Sequence, residues 1–197
     1  LLILNGVKLE AWGDKIKDTL KGSNTVVAEV GTALAQQTPD PHVWLSPVLA
    51  KKEVAVILGQ LKIVDPNNAA TYQSNALKLE DELDRLHQEY LTGLRSCAKK
   101  VIITAHAAFG HLAREYGLRQ VPIAGLSPDE EPSPQKLVEV AAFARKNEVT
   151  AIFFESLVSP KFSETIAHEI GAKTFILNPI SRQFGASLPP LSAWSCA

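Results

Sequence analysis

The chain has 197 residues, 46% of them apolar, enough for one large domain or two small ones with a proper core. Its net charge of −1 at pH 7 argues against nucleic acid or an anionic membrane as the main partner, because either selects a basic face. No apolar run approaches the roughly 20 residues that cross a bilayer. Two cysteines, Cys97 and Cys196, show no CxxC spacing, which disfavours a thiolate zinc site. Pairing between them and two free thiols are both open.

Residues 1–5 (LLILN) read as the middle of a buried core strand. With no methionine in the chain, residue 1 is not an initiator. The opening lacks both the basic start and the apolar length of a signal peptide. The expectation is a chain processed or cut at its N-terminus, with an incomplete first lobe. Residues 9 to about 21 predict a helix ending near Gly22, and residues 25–30 a strand. A loop over residues 31–41 then delivers His42 in the segment DPHVWLSP (40–47). Ser46 is placed as an N-cap with Pro47 at the first helical position, predicting a helix to about Lys62.

Asp65-Pro66 is a second cap-and-proline start. Beyond it Tyr72, Ala76, Leu79, Leu83, Leu86 and Tyr90 recur at spacings of four and three, with charges between them. That predicts one amphipathic helix of about 30 residues, about 45 Å long. An ordinary surface helix, a coiled-coil partner and a rigid spine joining two lobes are the available readings. Its position between two αβ halves favours the spine.

The second half alternates. Strands are predicted at 101–104, 121–124, 149–154 and 173–177, with helices at 107–116, 133–146 and 159–170, the last capped by Gly171. Repeated βα units with apolar strands mean a parallel sheet covered on both faces. The fold class is therefore α/β: two αβ lobes with parallel sheets joined by a long rigid helix. The divisions are residues 1–65, 66–96 and 97–180, followed by an unpatterned tail at 181–197.

In parallel sheets ligands bind beyond the carboxyl ends of the strands. There the second half places His106, the loop with Asp129, Glu130 and Glu131, then Glu155 and Asn178; the first half offers His42. Imidazoles with carboxylates are a transition-metal donor set. Each member also has a plainer reading. A loop histidine is most often surface, Glu155 can cap backbone groups, the acid run can be solvated, and Asn178 before Pro179 can be a turn. His87 and His168 lie mid-helix among charges and read as solvated. His111, five residues past His106, cannot share its ion from a regular helix and reads as structural. Enzyme chemistry lacks a signature: there is no GxSxG elbow, no HExxH and no glycine-rich phosphate loop.

DPHVWLSP, ITAHAAFGHLAREYGL (103–118), GLSPDEEPSPQKL (125–137) and IFFESLVSPKFSETIAHEIGAKTFILNP (152–179), together with NGVKLEAW (5–12), resemble the solute-binding proteins of zinc and manganese ABC importers. That group includes streptococcal lipoproteins described as adhesins. The resemblance covers residues 1 to about 180. It implies a non-enzymatic protein that binds a divalent metal in a cleft between two lobes and delivers it to a membrane permease. It further implies a monomer, in the periplasm or outside the cell, free or lipid-anchored, without nucleic acid. His42 and His106 match the family's ligand motifs. A histidine rather than an acid at the second position points to zinc (Zn2+), with manganese (Mn2+) as the alternative. The family's first histidine lies upstream of the segment matching residues 1–12. Its last ligand, an acid, falls where this chain has Asn178, Pro179, Ile180 and Ser181. The missing histidine motivates the alternative reading, a metal-independent surface adhesin or interaction protein of the same fold.

Overall fold

A computed structural model describes residues 1–35, 38–156 and 159–179. The tail at 181–197, and with it any Cys97–Cys196 pairing, lies outside the described residues. The chain divides into two compact units, Leu1–Gln88 and Glu89–Ala197.

The first unit begins with strands β1 (Leu2–Leu4) and β2 (Val27–Glu29), paired in parallel with Ile3 opposite Ala28. Helix α1 (Gly13–Thr19) lies between them in sequence. Helix α1 is shorter than its apolar pattern suggests. Gly6, Val7 and Lys8 all take positive φ, so residues 6–10 form a turn instead of a first helical turn. Nor is β1 the fully buried strand expected: Leu4 is 2% exposed but Ile3 is 38% exposed. A 3₁₀ turn at Val43–Leu45 leads into α2 (Pro47–Val64), whose N-cap Ser46 accepts a hydrogen bond from Leu49 N. Val43, Ala35 and Leu49 form the local core, with Val7 and Leu34 packed against it.

Helix α3 (Ala69–Arg95) follows a 3₁₀ turn at Pro66–Asn68, and the boundary between the units falls inside it. It is tied to α2 through Lys62–Gln73 near its start and Lys51–Asp84 near its middle. The predicted apolar stripe is only partly covered. Ala76 and Tyr90 are buried, whereas Leu79 is 42% exposed and lines a shallow apolar groove between α2 and α3. His87, expected to be solvated, is half-buried.

The second unit holds a four-stranded, fully parallel sheet of β3 (Val101–Thr104), β4 (Arg119–Pro122), β5 (Ala151–Phe154) and β6 (Lys173–Ile176), in the order β4-β3-β5-β6. Helices α4 (Gly110–Glu115), α5 (Pro134–Lys146) and α6 (Lys161–Ile170) alternate with the strands. Ile103 and Ile152 of the central strands pack with Val140, Ala144 and Ile166 in one apolar cluster. β4 pairs two residues earlier than its apolar stretch begins, Val101 opposite Arg119. Ladder pairing needs only backbone groups, so a polar residue at an edge strand is no obstacle. The order reverses between β3 and β5: the chain leaves β3 for β4 on one side and later returns to β5 on the other. In open parallel sheets that reversal opens a crevice at the carboxyl ends of the two strands.

Candidate metal centre

His106 sits two residues past the end of β3, and Glu155 immediately follows β5. The two strands flanking the reversal therefore carry the two side chains to one place. His106 Nδ1 is hydrogen-bonded to Glu155 Oε1, with the histidine 2% and the glutamate 5% exposed. The histidine backbone is fixed as well. Its carbonyl accepts from Thr104 Oγ1 (2.7 Å) and from Gln120 Nε2 (3.0 Å). Asn178, just past β6, steadies the turn after Glu155: its Oδ1 accepts from Ser156 N (2.9 Å) and Ser156 Oγ (3.1 Å). Asn178 thus supports the glutamate's turn.

A cavity of about 270 Å³ adjoins His106 and is lined by Asp129, Glu130, Glu131, Ser159 and Ser163, among others. The Glu130 carboxylate lies against Gly125. A Cβ there would lie 1.8 Å from Glu130 Oε2, so only glycine lets that carboxylate seat. His111 is buried and accepts from Arg114 Nη2 at 2.8 Å.

In the first unit His42 repeats the arrangement by local means. Its Nδ1 lies 2.8 Å from Asp40 Oδ1, and the same oxygen accepts from the His42 backbone N–H at 3.0 Å. His42 is 5% and Asp40 7% exposed. This is an Asx-type turn, the bond an aspartate makes to the backbone two residues on. The Trp44 ring is tilted against the imidazole, 5.3 Å between centroids.

An ionised carboxylate only accepts, so opposite one the Nδ1 of each imidazole is the donor. The sequence reading does not single out Asp40, although its i to i+2 spacing in DPH is the signal of such a turn. It does single out Glu155, but not its pairing with a residue 49 positions away. Among the described residues, no three or more His, Cys, Asp or Glu side chains are grouped to hold an ion. No described helix is long and apolar enough to cross a membrane.

The zinc-uptake complex component A periplasmic family model matches residues 1–187. The high-affinity zinc uptake system protein ZnuA of Bacillus subtilis (strain 168) is 50% identical over 141 residues, 72% of this chain and 44% of that protein. The chain matches less than half the length of such curated relatives. Among solved structures, the laminin-binding protein Lbp of Streptococcus pyogenes is similar with a TM-score of 0.85 at 35% identity, covering 94% of this chain and 74% of that one. Lmb of Streptococcus agalactiae, described as a bifunctional protein with adhesin and metal transporting activity, gives 0.84 at 34% identity, covering 94% and 73%.

Proposed function

This chain belongs to the zinc-uptake complex component A periplasmic family, and from that premise we propose that it binds a divalent transition metal and passes it to the permease of an ABC importer. The metal is zinc in preference to manganese. The ligands are His42 and His106, one from each unit, each through Nε2. No bond is made or broken in the cargo, so the role is a receptor's and not an enzyme's. The protein works as a monomer outside the cytoplasmic membrane, in the periplasm or at the cell surface, free or lipid-anchored.

The observation that carries this reading is the repeated carboxylate–imidazole pair: Asp40 with His42, and Glu155 with His106, all four side chains buried. Such a pair fixes the tautomer and raises the basicity of the coordinating nitrogen. Neutral imidazole suits zinc, while manganese favours oxygen donors. Burial also keeps competing water from the rings. Zinc titration of the full chain and of His42→Ala and His106→Ala tests the proposal. Both variants are expected to lose affinity sharply, and unchanged binding in both sinks the assignment.

An adhesin role is supported by the likeness to Lbp and Lmb, the first named for laminin binding and the second for both activities. Laminin binding by the histidine variants measures it separately. Retention without metal affinity would make adhesion independent of the histidines.

A further inference from the structure

We infer that Asn5 and Glu10 are positioning residues for His42, acting through the left-handed turn at residues 6–8. The inference rests on the reading of His42 as a metal ligand.

Gly6, Val7 and Lys8 have φ of 82°, 54° and 62°. Glycine takes such values freely, but an L-residue there is strained, and for a β-branched valine the conformation is an outlier. Strain of this kind persists only where the surroundings over-determine it. Here Glu10 does so. Its Oε1 accepts from Asn5 N (2.8 Å) and its Oε2 from Gly6 N (3.0 Å), while Leu9 N donates to Gly6 O (3.0 Å).

The folded turn aims Asn5 at the loop that carries His42. Asn5 Nδ2 donates to Pro41 O at 2.9 Å, and Asn5 O accepts from Gly31 N at 2.8 Å. Pro41 stands between Asp40 and His42 and has no N–H, so its carbonyl is the one backbone hydrogen-bonding group that residue offers. A second contact runs in parallel: Val7 packs against the small cluster containing Val43, the residue after His42. The fit is tight. A Cβ on Gly31 would lie 2.8 Å from Asn5 O and 2.9 Å from Val43 Cγ2. The segment is not explained by apolar burial of its other large residues, since Leu9 is 44% and Trp12 54% exposed. The turn instead sets where the Asp40–His42 pair sits relative to β1.

Asn5→Asp keeps the shape and removes the Nδ2 donor. Nitrogen-15 NMR of the imidazoles in the metal-free full chain reads the consequence directly. Wild type is expected to show one Nδ1–H tautomer at both His42 and His106. In Asn5→Asp, His42 alone becomes a tautomer mixture, and zinc affinity falls on the order of ten-fold. Glu10→Gln, which retains only one of the two acceptors, gives a smaller change in the same direction and serves if Asn5→Asp does not fold. A His42 tautomer and zinc affinity unchanged in both variants overturns the inference. So does an equal disturbance of His42 and His106, which would mean general loosening. Zinc affinity indifferent to His42→Ala would instead remove the ligand reading, and the tautomer measurement would still decide the positioning.

Discussion

Glu53 on α2 is 8% exposed, and burial pushes its carboxyl up from the ordinary 4.5 to about 7. The folded chain keeps this proton to about pH 7, whereas the unfolded chain releases it near 4.5. Between those values the folded state binds more protons, so stability falls as pH rises through the window. Glu53→Gln is expected to remove that fall, and thermal melts at pH 5 and pH 8 check it: the two melting temperatures converge in the variant. Glu155→Gln offers a second measurement at this scale. The amide keeps the size but not the charge that holds His106, and zinc affinity should drop about 10–100-fold. Unaltered affinity would mean that the pair is only structural. The imidazoles are legible in the sequence because each lies in a distinctive motif. Their carboxylate partners are legible to different degrees. Asp40 is two residues from His42, and reading DPH as an Asx turn is enough to find it. Glu155 meets His106 only because β3 and β5 are neighbours, and a strand order is not written in any local window.

At the level of elements, punctuation residues do most to make boundaries readable. Ser133 caps α5 by accepting from Lys136 N at 3.2 Å, with Pro134 at the first position. Ser133→Ala should cost about 1 kcal/mol, read as a shift in denaturant midpoint at constant slope. Gly171 ends α6 at φ 72°, and a Cβ added there would meet nothing within 4 Å. Gly171→Ala therefore carries a backbone cost alone, about 1–2 kcal/mol. The strands of the second unit are plain as apolar runs because both faces of a central parallel strand are covered. The start of α1 is hidden for the opposite reason. Residues 9–12 have helical spacing, yet Glu10 is committed to the backbone N–H groups of Asn5 and Gly6. Helix α3 is readable in extent but less so in burial: periodicity marks which side is apolar, not whether a neighbour covers Leu79.

Across the whole molecule the two units differ in how much core they own. Among the described residues, the second unit has an extended cluster through β3, β5, α5 and α6, whereas the first has a small one of Ala35, Val43 and Leu49 with two flanking side chains, besides the buried Leu4, Ala28, Val30 and Ala76. Amide exchange is expected to be slowest at Ile103 and Ile152 and markedly faster in β1 and β2. Uniform protection across both units would contradict this. Zinc at 100 times its Kd should add about 2.7 kcal/mol to the stability of the wild-type chain by mass action and much less to His42→Ala. One contact already described makes such occupancy visible without a label. Trp44 lies with its ring 5.3 Å from that of His42, so withdrawal of imidazole electron density toward a cation changes the surroundings of a fluorophore. In a chain with Trp12 and Trp194 replaced by phenylalanine, Trp44 emission is expected to respond to zinc if His42 is a ligand, and to stay silent in His42→Ala.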